Sequence, residues 1–86
     1  MKQVFPVYSV LAWIVNPDDH ENGYDLVQLG EATNDPNEAL RLYRSSPVRG
    51  PVVEVKLEME TEDDCFDVLQ KDEHGNVMND LHRLPL

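Results

Sequence analysis

Carboxylates dominate one short segment of the chain. Residues 53–64 read VEVKLEMETEDD, so apolar and polar residues alternate and nearly every polar residue is acidic. In a β-strand, alternate side chains point to the same face, with about 6.6 Å between neighbours on that face. Such a strand would carry a row of carboxylates that continues into the next turn and strand. The acids are Glu54, Glu58, Glu60, Glu62, Asp63, Asp64 and Asp67, and Lys56 is the one base among them.

A rigid row of carboxylates can imitate the phosphates of a nucleic-acid strand, which carries about one charge per 3.4 Å of helix axis. The row would then fit a groove lined with Lys and Arg, and binding would depend strongly on salt because counterions are displaced. The alternative is a solvated strand face whose charge keeps the protein soluble and discourages edge pairing. Ordinary surfaces intersperse both signs of charge, and this row does not. The sequence leaves both interpretations open.

Length and charge narrow the function classes. The chain has 86 residues and a formal net charge of −10, so we expect a single domain over residues 1–86 that repels other anions. Its seven Lys and Arg residues are scattered, whereas surfaces that follow phosphates cluster them. We therefore expect no direct binding to nucleic acid or to an anionic membrane, and a basic nucleic-acid-binding protein or complex as the partner.

The cysteine count and the hydropathy pattern bear on location. Cys65 is the only cysteine, which excludes an internal disulfide and suits a reducing compartment. The apolar residues 4–15 are too few to cross a bilayer, and Pro6 and Ser9 interrupt them. We expect a soluble cytoplasmic protein, with a monomer favoured over a dimer.

The residue types of a thiol enzyme are present, but they lack a recognisable arrangement. Cys65, with His74 or His82 and with Asp80, supplies a nucleophile, a base and an orienting carboxylate. No local signature surrounds the cysteine, and a core cysteine is the commoner case. We therefore predict no catalytic residues and no enzyme activity.

Metal and cofactor motifs are similarly incomplete. Residues 18–25 resemble a calcium loop in part, but Leu29 stands where the bidentate Glu belongs and His20 is a poor calcium ligand. The sequence has no paired Cys and His at zinc spacing and no glycine-rich phosphate loop. We predict no metal site and no cofactor.

Hydrophobic periodicity predicts five strands. Residues 4–15 are apolar on both alternating faces, which predicts a central strand covered on both sides. The alternation in residues 52–61 places Val53, Val55, Leu57 and Met59 on a core face, opposite the acids. Turn residues separate the strands. The predicted strands are Val4–Val15, Tyr24–Glu31, Val52–Thr61, Cys65–Lys71 and Val77–Leu81.

One helix is predicted between the second and third strands. Asp35 can cap its N-terminus, Pro36 fits the first helical position and Pro47 lies beyond its end. Ala39, Leu40 and Tyr43 share its apolar face. The elements together predict an α+β domain of one helix and a mainly antiparallel sheet of four to five strands, in the order β-β-α-β-β-β.

In size, acidity, α+β pattern and lack of catalytic motifs, the chain resembles small phage-encoded inhibitors of host defence, including anti-CRISPR proteins that act as nucleic-acid mimics. The resemblance carries no individual residue over. It implies a non-enzymatic inhibitor in the host cytoplasm. The charge pattern, and not the resemblance, predicts the seven acids named above as its contact. The alternative is a protein-protein adaptor or oligomeric subunit that buries an apolar patch and whose acids are only solubilising. Tyr24 is a candidate for an additional contact near the rim.

Overall fold

A five-stranded antiparallel sheet carries one helix on one of its faces. The computed structural model describes residues 4–16, 18 and 23–85. The strands are β1 (Val7–Val15), β2 (Tyr24–Thr33), β3 (Val52–Glu60), β4 (Cys65–Asp72) and β5 (Val77–Asn79). Helix α1 (Pro36–Arg44) lies between β2 and β3 in the chain, and a short 3-10 helix (Leu81–Arg83) follows β5. The predicted α+β class and element order are confirmed, and the 3-10 turn is an addition to them.

The strand order in the sheet is β2-β1-β3-β4-β5. Because β1 pairs antiparallel with both β2 and β3, those two neighbours run parallel to each other. Helix α1 connects them and therefore crosses over β1 on one face of the sheet. None of the helices in the described part of the chain combines the length and apolar character needed to cross a membrane.

Helix α1 begins at the predicted cap. The Asp35 carboxylate accepts a hydrogen bond from the Asn37 amide at 2.9 Å, and Pro36 occupies the first turn, where its missing donor costs nothing. The buried face of the helix consists of Ala39, Leu40 and Tyr43. At the other end, Lys71 of β4 donates to the Tyr43 carbonyl at 3.1 Å and lies 4.6 Å from the centre of its ring. A cation is favoured at a helix C-terminus, so this contact ties α1 to the sheet.

The core lies between α1 and the sheet. Tyr8, Val10 and Ala12 of β1 alternate toward the helix and are almost fully buried. The other buried side chains come from β3, β4, α1 and the C-terminal turn. They are Val55, Leu57, Val68, Leu69, Ala39, Leu40, Tyr43 and Leu84.

The opposite face of β1 corrects the sequence prediction of a strand covered on both sides. Ser9, Leu11 and Trp13 alternate with the buried residues of β1 and stay partly exposed. No helix or strand of the described chain lies over them, because the one α-helix packs on the other side. We call this uncovered side the open face.

Two β-bulges change which side chains reach the open face. Trp13 pairs with Glu54 and Ile14 pairs with Val52, so Val53 has no partner on β1. Val53 therefore lies on the open face beside Trp13 and Val52 packs against the core, whereas strict alternation placed Val53 in the core. A second bulge at Val68 keeps both Val68 and Leu69 buried and brings Asp67 opposite Glu58.

Candidate acidic binding face

The seven predicted acids divide between the open face and the adjoining turn. Glu54, Glu58 and Glu60 follow β3 at alternate positions, and Lys56 interrupts the row. Asp67 of β4 is the cross-strand partner of Glu58, so it extends the row sideways on the same face. The remaining three are exposed in the turn between β3 and β4: Glu62, Asp63 and Asp64. We call the acidic patch the set Glu58, Glu60, Glu62, Asp63, Asp64 and Asp67.

A hydrogen-bonded turn fixes the end of the patch. The Thr61 amide donates to the Asp64 carbonyl at 2.7 Å. The Thr61 hydroxyl oxygen accepts from the amides of Asp63 at 3.3 Å and Asp64 at 3.0 Å. Thr61 thus stabilises the backbone of the turn, and its three acidic residues are exposed to solvent.

Two of the seven predicted acids have a charged or amide partner inside the fold. The Lys56 ammonium lies 3.6 Å from the Asp67 carboxylate, and the Glu54 carboxylate accepts a hydrogen bond from the Gln70 amide group. The Lys56 contact offsets the repulsion between Glu58 and Asp67, which are directly opposite each other. Among the described residues, the other five acids form no ion pair. Most of the negative charge is therefore left to solvent.

The acids also control the chemistry of Cys65. A hydrogen bond to the Glu58 carboxylate, together with desolvation and the nearby charges of Glu58, Glu60 and Asp67, raises the pKa of the Cys65 thiol to about 11. The side chain is exposed, but a thiol with that pKa is almost entirely protonated at neutral pH. Catalytic cysteines need the opposite shift.

The other residues of the hypothetical thiol enzyme lie elsewhere. His74 is in the turn that follows β4, whereas Cys65 begins that strand, so about 25 Å of extended chain separates them. Asp80 pairs with Arg83 at 3.6 Å instead of orienting a histidine. His82 is exposed in the 3-10 helix.

No group of His, Cys, Asp and Glu within the described ranges could hold a metal ion. The segment that resembles a calcium loop falls partly outside those ranges, because His20 and Asn22 are not described. Asp18 is described and exposed, and Asp25 accepts a hydrogen bond from the Asn16 side chain at 2.7 Å. In the described part of this segment, Asp25 therefore stabilises the hairpin between β1 and β2 through its hydrogen bond with Asn16.

The open face also holds an apolar stripe, of which the sequence interpretation assigned Leu11, Trp13 and Val53 to the core. Tyr24 and Leu26 are 47% and 45% exposed, and Trp13 and Leu11 lie beside them on β1. The second apolar face of β1 was the only sign of this stripe in the sequence. Because a strand covered on both sides has the same alternation of apolar residues, the sequence could not show that this face is uncovered. We call the apolar stripe the set Leu11, Trp13, Tyr24, Leu26 and Val53.

A depression of about 540 Å³ marks the border between the stripe and the acids. Its described lining is Trp13, Tyr24, Val53 and Glu54. Trp13 and Glu54 are cross-strand neighbours, so the apolar stripe and the carboxylate row meet here. Tyr24, the predicted rim contact, therefore belongs to the same face as the acids.

Most of the basic residues that the structure describes lie away from the open face. Lys56 and Lys71 have the internal partners given above, and Arg83 lies 4.9 Å from the centre of the Phe66 ring. Arg41 and Arg44 are exposed on the outer side of α1. The two sides of the sheet thus differ in charge as well as in covering.

Comparisons with protein-family models, with curated proteins and with solved structures find no match to this chain. A functional conclusion therefore rests on the chemistry of the open face. That face combines carboxylates, an apolar stripe and a depression between them.

Proposed function

We propose that this protein is a non-enzymatic acidic binding protein that occupies the basic nucleic-acid-binding surface of a partner protein or complex. The acidic patch takes the position of the nucleic-acid phosphates. Inhibition is stoichiometric, as the resemblance to phage-encoded mimics implies. Displacement of counterions from the Lys and Arg residues of the partner supplies much of the binding free energy.

The observation that supports this proposal is the placement of the acids on an uncovered, hydrogen-bonded sheet and its turn. Glu58 and Glu60 are held at a strand spacing of about 6.6 Å, and Asp67 adds a second column on β4. Because strand pairing already orders the backbone of these residues, the conformational entropy lost on binding is confined to their side chains. Among the described residues, Asp67 is the one member of the patch paired with an internal base, Lys56, and the remaining charge of one sign favours a partner that neutralises it.

An adaptor or oligomeric subunit is the second candidate, and the apolar stripe favours it. Exposed groups such as Tyr24 and Leu26, together with the partly exposed Trp13, are common in the cores of protein interfaces. An interface built on the stripe alone would persist at high salt. Sedimentation at 50 mM and 1 M NaCl separates the candidates, since a dimer at both concentrations supports the adaptor and a monomer at both supports the mimic.

The decisive test reverses three members of the acidic patch. The protein is immobilised to capture a partner from a lysate of its source, and the partner is purified with its fluorescent oligonucleotide. Wild-type protein should displace the oligonucleotide, and the triple variant E58K/E60K/D63K should do so about 100-fold less well. The slope of log Kd against log salt should fall by about 2 to 3, because three phosphate-like contacts are lost.

The matched control is D18K/E31K/E73K, which changes the net charge equally at exposed positions outside the patch. Its displacement should stay within a few fold of wild type. An unchanged affinity and salt slope in a folded E58K/E60K/D63K variant would eliminate the acidic patch as the contact. Equal losses in both triple variants would reduce the effect to net charge and would also reject the proposal.

A further inference from the structure

The depression on the open face joins aromatic rings to a carboxylate. Trp13 of β1 lies opposite Glu54 of β3, and Tyr24 pairs with Val15, one same-face position along β1 from Trp13. Neighbours across and along a sheet are about 5 to 7 Å apart. The two rings, the Val53 side chain and the Glu54 carboxylate therefore surround one space of about 540 Å³.

The Glu54 carboxylate has no cation in the described part of the molecule. Its hydrogen bond comes from the neutral Gln70 amide to one oxygen, Oε1. Lys56, the next residue on the same face, directs its ammonium to Asp67 instead. A carboxylate on the wall of an aromatic depression thus keeps one oxygen for an incoming donor.

This lining selects among possible occupants. A neutral aromatic or aliphatic side chain would cover Glu54 and remove water from its charge without a replacement, which is unfavourable. A second copy of this chain brings its own net charge of −10 to the same face. A cationic side chain satisfies the carboxylate and is attracted by the faces of Trp and Tyr.

We propose that the depression binds an arginine side chain of the partner protein. The planar guanidinium stacks on the Trp13 or Tyr24 ring and donates to Glu54, and its methylene groups contact Val53. The inference rests on the proposed function, because a surface that binds phosphates is rich in arginine. Lysine fits less well, since its ammonium cannot stack and is more strongly hydrated.

The position of the depression also predicts how the basic groups of the partner are spaced. Glu54 and Glu58 are four residues apart on β3, a distance of about 13 Å along the strand. The partner should therefore present one arginine about 13 Å from the basic groups that meet the acidic patch. Charge alone does not provide that selectivity, because exposed rim charges mainly raise the association rate.

The test uses Trp13 as the reporter, because it is the only tryptophan in the chain. N-acetylarginine methylamide is titrated into the 86-residue protein at constant ionic strength, and N-acetyllysine methylamide serves as the comparison. The arginine probe should give a saturable change in tryptophan fluorescence, and the lysine probe should bind at least threefold more weakly. Equal binding of the two probes would reject the selectivity for arginine.

Two variants keep the reporter and alter the depression. E54Q removes the charge but keeps an acceptor for Gln70, and Y24L removes one ring at an exposed position. Each should weaken the arginine probe about five- to tenfold. E31Q, at an exposed position on β2, should leave its affinity unchanged.

Failure here can be distinguished from failure of the proposed function. If E54Q and Y24L bind the arginine probe as wild type does, the depression is not an arginine site, whatever the acidic patch does in the displacement assay. If both weaken the probe and E54Q also displaces the oligonucleotide about tenfold less well, the inference is supported. If E54Q loses the probe but displaces the oligonucleotide normally, the arginine of the partner does not enter this depression and the inference is rejected.

Discussion

Glu58 lies beside three polar groups of the open face, which are Cys65, Asp67 and Lys56. Its carboxylate is the main cause of the raised pKa of the Cys65 thiol, lies opposite Asp67 on β4 and follows Lys56 on the same face. A cysteine in this position is held as the neutral thiol by surrounding negative charge. Its reactivity therefore measures the local potential of the acidic patch.

Alkylation of Cys65 by iodoacetamide should be slow in the native protein. A pKa raised from 9.0 to about 11 leaves about 100-fold less thiolate at pH 8, and the greater nucleophilicity of a more basic thiolate recovers about tenfold of that. We expect a rate about tenfold below that of N-acetylcysteine amide. The rate should rise severalfold in E58Q and stay unchanged in E31Q; a native rate equal to that of the free thiol would contradict the assignment.

Side-chain placement along β3 was predictable only as far as alternation holds. Glu54, Glu58 and Glu60 share a face because they lie an even number of residues apart. Val53 breaks the pattern, because its bulge arises from the pairing of β3 with β1 and not from β3 itself. The depression beside Trp13 was therefore not predictable from either strand alone.

The edge strand β2 also departs from regular pairing with β1. The irregular segment lies between Leu29, which pairs with Val10, and Thr33, which pairs with Tyr8. Gly30 lies in this irregular segment with a φ of +66°, a conformation that suits glycine. A Cβ at this position would lie 3.0 Å from the Cδ2 atom of Leu42 in α1. The bulge thus lets β2 approach the helix closely.

Gly30→Ala should destabilise the protein for both reasons. The left-handed conformation costs an alanine about 1 to 2 kcal/mol, and the contact with Leu42 should add about 1 kcal/mol more. Urea unfolding followed by circular dichroism measures the loss. Gly50→Ala is the matched control, because Gly50 has a φ of +63° and nothing within 4 Å of the added Cβ. Equal losses in the two variants would show that the helix contact contributes nothing.

The Asp72 carboxylate reinforces the turn between β4 and β5, which also contains backbone hydrogen bonds between Asp72 and both Gly75 and Asn76. Asp72 accepts hydrogen bonds from the His74 amide at 2.9 Å and the Asn76 amide at 3.0 Å. The Asn76 side chain donates to its second oxygen at 3.0 Å. These hydrogen bonds, the one from the Asn76 side chain first among them, lower the pKa of Asp72 below its usual value of 3.8.

Because the pKa of Asp72 is lowered in the folded protein, the contribution of its hydrogen bonds to stability depends on pH. The ionised form is favoured in the folded state, so the contribution is fully present above pH 3.8 and is lost as the pH falls through the lower folded value. We expect wild type to be more stable than D72N at pH 6, with the difference disappearing toward pH 2. Urea midpoints across this range measure it, and E31Q is the control. A difference that persists at pH 2 would assign the effect to the shape of the amide and not to charge.

Helix α1 and the five strands were predictable because each has local signals. Asp35 and Pro36 mark the helix start, and turn residues separate the strands. The open face was not predictable, because an apolar face indicates burial without saying what buries it. With a single helix in the order β-β-α-β-β-β, only one face of β1 can be covered by it. The sequence pattern is thus consistent with a second layer that a partner supplies.

At the scale of the whole molecule, charge works against the free fold. The chain has a net charge of −10, and the row of acids on the open face contains a single base, Lys56. Self-repulsion of this kind destabilises a compact state and is screened by salt. A partner that neutralises the acidic patch would remove the same repulsion. Replacing an acid of the patch by a base should therefore stabilise the free protein and weaken its binding to the partner.

Glu58→Lys is the substitution that tests this opposition. It replaces a like-charge pair with Asp67 by an opposite-charge pair, which is worth about 0.2 to 1 kcal/mol across neighbouring strands. We expect E58K to be more stable than wild type by about 0.5 kcal/mol in urea unfolding at 20 mM NaCl, with the gain shrinking at 0.5 M NaCl. The same variant should displace the oligonucleotide of the partner about tenfold less well.

E31K changes the net charge equally at an exposed position away from Asp67, so it separates local from global repulsion. If E58K gains no more stability than E31K, or gains it without losing affinity, then Glu58 is an ordinary solvated acid and the patch has no partner to neutralise it.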